Sequence, residues 1–131
     1  MLSTHQFIAM PIVTVEVVAG EGSTVPHDLA QLLADSVGRV INSPPGQTWV
    51  RVRRVPRNEY AENGPPLEAS ELPVFVTILK RQVSRGSELE AEVASLTQAI
   101  AQVVGRPASC VHIEFAPSAA GRLSFGGTLV P

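Results

Sequence analysis

Met10-Pro11-Ile12-Val13-Thr14-Val15-Glu16-Val17-Val18 decides the fold, because it comes back as Pro73-Val74-Phe75-Val76-Thr77-Ile78-Leu79-Lys80. Both runs open on proline and are rich in β-branched residues, which is strand composition. Each is followed by a helical pattern. Leu29, Leu32, Leu33, Val37, Val40 and Ile41 form one apolar stripe, and Leu89, Val93, Leu96, Ile100, Val103 and Val104 form another. Pro26 suits the first turn of the first helix. Ser87 with Glu90 makes a capping box at the start of the second, and Gly105 suits the left-handed residue just past its end.

A further strand closes each unit: Thr48-Trp-Val-Arg-Val-Arg-Arg-Val-Pro56 and Ser109-Cys-Val-His-Ile-Glu-Phe-Ala-Pro117. Both alternate. Val50 and Val52 oppose Trp49, Arg51 and Arg53, while Val111, Ile113 and Phe115 oppose Cys110, His112 and Glu114. The apolar sets are expected to pack under the helices. Residues 57–72 are polar and acidic, contain Pro65-Pro66, and read as a crossover loop. The tail, Arg122-Leu-Ser-Phe-Gly-Gly-Thr-Leu-Val, has strand pieces around a Gly126-Gly127 kink. The expected class is α+β: two βαβ repeats, 11–56 and 73–117, making one four-stranded sheet with two helices on one face. A C-terminal hairpin spans 118–131, and residues 1–10 are an N-terminal extension. A sheet covered on one side needs another cover, which self-association supplies.

Composition narrows the function. The 131 residues are 44% hydrophobic and 17% charged, which is globular and enough for one domain. Net charge is −2, and aromatics are few, so nucleic acid is not an expected partner. Cys110 is the single cysteine, which excludes an intrachain disulfide. No run reaches the ~18 apolar residues of a membrane span, and Met1 to Ala9 lacks the features of a signal peptide. A cytoplasmic protein is expected.

A doubled βαβ unit, each copy opening on proline, resembles the tautomerase superfamily, which includes 4-oxalocrotonate tautomerase (4-OT), macrophage migration inhibitory factor (MIF) and malonate semialdehyde decarboxylase. The points of likeness are Met10-Pro11, the matched repeat registers and the Gly126-Gly127 tail. The resemblance implies a homotrimer with pockets between subunits, each built around an N-terminal proline, here Pro11. It also implies a small carboxylate-bearing substrate and no cofactor. The chemistry has a physical basis. A free α-amino group titrates near pH ~7.7–8.0. Apolar surroundings and nearby guanidinium groups both favour its neutral form. Such an amine serves as general base, and with its proton as general acid. Within a longer chain the same nitrogen is an amide without basicity.

The resemblance supplies partners for Pro11. Arg81 matches an arginine that binds substrate carboxylate in the decarboxylase and dehalogenase branches, and a guanidinium gives bidentate, always-charged recognition. Parallel pairing of the two opening strands is expected to bring Arg81 toward Pro11. The alternative is a solvated strand-end arginine. Arg85 is either a second clamp or helix-start surface. Arg51 matches a substrate-binding arginine of 4-OT, or belongs to a charged sheet face. His112 takes the corresponding place in the second repeat, as a hydrogen-bond donor or a polar-face histidine. Glu114 is placed to orient a water or the amine, or else is an interface carboxylate. Leu123 and Phe125 correspond to apolar pocket walls, or are simply buried. His5, His27 and Cys110 have no ligand spacing, and no metal site is expected.

Several positions depart from the family pattern. Glu21 stands where an early-loop arginine is usual, Ser43 where MIF carries a lysine, and Gln47 nearest the decarboxylase aspartate. These departures weigh against dehalogenation and decarboxylation. Simple tautomerisation of a 2-oxo or 2-hydroxy-enoic acid remains, conditional on Pro11 being the mature N-terminus. The rival expectation is a non-catalytic trimeric protein on the same scaffold, binding a small anion or serving structurally, with Pro11 blocked by residues 1–10.

Overall fold

The structure is a computed structural model and describes residues 10–22 and 25–131. The expected N-terminal extension, Met10 apart, lies outside the described residues. Strand β1 (Ile12–Ala19) is internal to the sheet, paired on both sides. Its order in the sheet is β2 (Trp49–Pro56), β1, β3 (Val74–Leu79), β4 (Val111–Phe115). Within each repeat the strands are parallel: Val13 faces Val50 and Val74 faces Val111. The offsets, 50 − 13 and 111 − 74, are both 37, so the two repeats share one register. Between repeats the pairing is antiparallel, with Ile12 opposite Leu79 and Val17 opposite Val74. The expectation of parallel opening strands is therefore corrected. A crossover returning to the far end of β1 reverses the second repeat.

Helices α1 (Leu29–Val40) and α2 (Gly86–Val104) pack against each other and over one face of the sheet. Alternation puts Val13, Val15 and Val17 of β1 and Val74, Val76 and Ile78 of β3 under them, together with Leu29, Leu33, Val37, Leu96 and Ile100. That is the core. Leu32, placed on the α1 stripe by its spacing, is instead 46% exposed on the outer flank of the helix.

The helix ends differ from the sequence expectation in two places, and the start of β4 differs in a third. Pro26 precedes α1, closing a turn in which Leu29 N–H donates to its carbonyl at 3.1 Å. Ser87 lies inside α2, whose N-cap is Arg85, so the expected Ser87–Glu90 capping box does not form. Gly105 behaves as expected, with φ 71 and its N–H donating to Ala101. Ser109 and Cys110 leave the strand for a 3-10 turn, Ala108–Cys110, so β4 is shorter than its alternating pattern.

The crossover carries two 3-10 turns, Arg57–Glu59 and Ala69–Glu71, the second closed by a capping box between Glu68 and Glu71. Arg106 fastens its end, donating to the Leu72 carbonyl at 2.6 Å and the Val18 carbonyl at 2.9 Å. The tail forms a hairpin from β5 (Ser124–Phe125) and β6 (Thr128–Leu129). Gly126 and Gly127 both have positive φ (57 and 90), as a two-residue turn of this kind requires.

Candidate functional site

Antiparallel pairing of β1 with β3 builds the candidate site. It sets the end of β3 beside the start of β1, so Lys80 and Arg81 adjoin Pro11 and Met10. The tail then folds against the same end. Ala119 and Ala120 N–H donate to the carbonyls of Lys80 (3.0 Å) and Arg81 (3.1 Å). A small apolar cluster results: Met10 and Val130 are buried, with Trp49, Leu123 and Phe125 packed against them. The Trp49 and Phe125 rings stack at 4.5 Å. Pro11 is fully buried, and its carbonyl accepts from Trp49 N–H at 3.0 Å. Met10, which covers it, has φ 38, a left-handed conformation seldom adopted by a long side chain.

Of the sequence-derived candidates, Pro11, Arg81, Leu123 and Phe125 are therefore gathered at one end of the sheet. Arg81 is half-buried. Its Nε donates to a main-chain oxygen of Pro131, a carboxylate oxygen in the 131-residue chain, at 2.8 Å, and among the described residues no Asp or Glu side chain pairs with it. Arg51 is exposed and close to the same end. It makes a long 3.4 Å contact with Thr14 Oγ1. With Ile12, Trp49 and Phe125 it lines an open groove of about 1060 Å³ that continues along the last turns of α1 and the 42–46 loop.

The other candidates lie elsewhere on this chain. Arg85 stands at the start of α2, lining a separate groove of about 800 Å³ with Glu88, Phe115 and Ser118. Glu114 and His112 are exposed on the helix-free face of the sheet. Registers form two rows there: Arg51, Thr14, Thr77, Glu114, and Arg53, Glu16, Phe75, His112. These rows are two and four residues beyond Ile12, about 7 and 13 Å along the strands, and Glu114 and His112 sit on β4, two strands away from β1. The His112 ring lies 5.4 Å from that of Phe75, which Tyr60 approaches from the crossover at 5.7 Å.

Sequence reasoning missed Lys80 and Glu92. Lys80 follows Val74, Val76 and Ile78 on the helix-facing side of β3, and its Nζ meets Glu92 Oε1 of α2 at 2.7 Å. The side chains are only 10% and 13% exposed, and Glu92 Oε2 is buried without a partner. The available signal was a lysine continuing an apolar alternation. Trp49 was legible as a neighbour of Arg51 but not as part of the cluster, because Phe125 is distant in sequence.

Among the described residues no group of three or more His, Cys, Asp or Glu could hold a metal ion, and no helix is long and apolar enough to cross a membrane.

No protein-family model matches the sequence, and no curated protein matches it. Solved structures match over nearly the whole chain. A wild-type fused 4-OT, a symmetric trimer, has TM-score 0.68 at 17% identity, covering 90% of this chain and 94% of its own. Pt0534 inactivated by 2-oxo-3-pentynoate has TM-score 0.70 at 18% identity, over 90% and 94%. The macrophage migration inhibitory factor of Trichinella spiralis has TM-score 0.68 at 18% identity, over 90% and 98%. The likeness is one of fold: this chain has the doubled βαβ architecture of the fused 4-OT and MIF structures, the fold of the tautomerase superfamily.

Proposed function

We propose that this chain is a tautomerase-like isomerase that moves a proton within a small 2-oxo or 2-hydroxy-enoic acid, with Pro11 as its base once it is the N-terminal residue. The observation that carries the reading is the β1–β3 register, which brings a half-buried guanidinium that no described Asp or Glu pairs with, Arg81, to the strand end where Pro11 begins. In the proposed step the Pro11 amine takes the proton from the enol oxygen. The O–H electron pair forms the C2 carbonyl, and the C2=C3 pair receives a proton at C3 from the prolinium. Arg81 holds the carboxylate, and Trp49, Leu123 and Phe125 give the apolar wall that favours the neutral amine.

In the 131-residue chain Pro11 is an amide under a buried Met10, and that form has no base. This observation favours a second reading for the extended chain: a closed, non-catalytic form whose remaining function is anion binding at Arg81. In either form the helices leave one face of the sheet uncovered, with Phe75 and Leu79 among its partly buried residues. A trimer, the assembly of the fused 4-OT structure, would cover it and would bring Arg51, His112 and Glu114 of neighbouring copies toward new surroundings.

The test is ketonisation of an enol-pyruvate by protein beginning at Pro11, with intact mass establishing the first residue. Pro11→Ala is expected to lose at least about 100-fold in kcat. Arg81→Gln is expected to raise KM more than it lowers kcat. Undiminished turnover by Pro11→Ala would remove the proposed base.

A further inference from the structure

The four-stranded sheet ends in β2 on one side and β4 on the other, and each has one side without a strand among the described residues. Such an edge offers a row of free N–H and C=O groups to another strand. β2 runs with β1, β4 runs with β3, and β1 and β3 are antiparallel. The two edges therefore run in opposite directions. A second copy placed in the same sheet sets its β4 antiparallel to β2.

The residues on the two edges match row by row. The row through Val13 and Ile78 starts at Val50 and ends at Phe115, and the row through Val15 and Val76 starts at Val52 and ends at Ile113. The inner members are at most 2% exposed, whereas the edge members are only partly buried. On the helix-free face, the row between them starts at Arg51 and ends at Glu114. Both are exposed, and neither has an ion-pair partner among the described residues. Continuing the rows into a second copy sets Val50 against Phe115, Val52 against Ile113 and Arg51 against Glu114. Direct partners in an antiparallel ladder share a face, with Cβ atoms about 4.5–5.5 Å apart. A slip of one residue sets Val50 against Glu114 and Val52 against His112. A slip of two sets either Arg54 against Ile113 or Glu114 against Trp49. Among these registers only the in-row one matches charge with charge and apolar with apolar.

We propose that copies of this chain join head to tail through these edges, β4 of one copy beside β2 of the next, with Arg51 and Glu114 as the ion pair that sets direction and register. The contact is heterologous, so it generates a ring rather than a two-fold dimer. The proposal rests on the assembly reading given above and supplies its contact. Val50 lines the groove at Ile12, and Phe115 lines the groove at Arg85. The joint therefore sets one groove of each copy against the other groove of its neighbour.

The test is sedimentation of the 131-residue chain across a dilution series, read as the concentration at half-dissociation. The parent is expected to be a closed oligomer. Arg51→Glu and Glu114→Arg each place like charges together and are expected to raise that concentration at least about 30-fold. Arg51→Glu/Glu114→Arg restores the pair in reverse and is expected within about fivefold of the parent. Arg53→Glu/Glu114→Arg is expected to stay as weak as Glu114→Arg alone, and restoration by that exchange instead overturns the register. A second readout does not depend on charge: in a Cys110→Ser background, Arg51→Cys/Glu114→Cys is expected to oxidise to covalently linked copies, because its Cβ atoms lie near disulfide distance. The contact is overturned if the single variants dissociate no more readily than the parent, if the Arg51 exchange fails to restore association, or if the cysteine pair links no copies. An associated parent with any of these results leaves the assembly reading standing, whereas a monomeric parent overturns both.

Discussion

Replacing Lys80 by methionine tests how the end of β3 is held beside Pro11. The Lys80–Glu92 pair links that strand end to α2 at 2.7 Å, with both side chains nearly out of solvent. Methionine keeps most of the stem packing and removes the charge. Glu92 is left as a buried carboxylate, its Oε1 newly unpaired and its Oε2 already without a partner. Breaking a buried pair from one side costs about 3–5 kcal/mol, because the remaining charge is uncompensated. For a chain of this length that corresponds to a fall in Tm of roughly 10–20 °C. Glu92→Gln keeps an amide oxygen for Nζ and is expected to cost less, about 1–3 kcal/mol. The double variant Lys80→Met/Glu92→Met removes both charges and is expected within about 1 kcal/mol of the parent. Urea unfolding of the parent, Lys80→Met, Glu92→Met and the double Met variant closes the double-mutant cycle, and a coupling energy of at least about 2 kcal/mol is expected. A Lys80→Met cost under about 1 kcal/mol with no coupling would mean that water reaches the pair and that the burial argument is wrong.

Two further outcomes follow from the loops. Tyr60 is the single tyrosine, and its phenol is pushed up to about 12 by its hydrogen bond to the Glu62 carboxylate, with desolvation and the carboxylate charge adding to it. The protonated phenol is the favoured form, so this contribution is present below pH ~10 and is lost as pH rises through 12. Ultraviolet titration is expected to place the phenol above its ordinary value in the parent and back near pH ~10 in Glu62→Gln. Equal midpoints would refute the contact. Arg106→Met leaves the Leu72 and Val18 carbonyls without their charged donor and is expected to cost about 2–4 kcal/mol in urea unfolding. A change under about 0.5 kcal/mol would show that Arg106 is replaceable by solvent.

The fold was legible because its signals are local and repeated. Two β-branched runs and two apolar stripes define strands and helices, and the alternation of Val50-Val52 and Val111-Ile113 names the buried face. The relation between repeats was not legible. Strand polarity depends on where residues 57–72 lead the chain, and nothing in their composition encodes the turn that makes β1 and β3 antiparallel. The consequence at the site is specific. Arg81 adjoins Pro11 because of antiparallel pairing, the opposite of the geometry expected from sequence. The capping box at Ser87 failed for a related reason, since the N-cap of α2 is Arg85, two residues earlier, which makes Ser87 an interior position. Lys80 and Glu92 were invisible as site elements. Their role comes from a contact across 12 residues, which periodicity does not report.

The central claim is that Pro11 carries a reactive amine when it begins the chain and none when it follows Met10. 2-Oxo-3-pentynoate, the inactivator of the structurally similar Pt0534, is a direct probe, because a free secondary amine adds to its activated alkyne. Protein beginning at Pro11 and the 131-residue chain are treated in parallel and mapped by mass spectrometry. The account predicts one adduct, on Pro11, in the shorter protein and none at that residue in the longer. An unmodified Pro11 in the shorter protein, or an adduct confined to Cys110 in both, would contradict it.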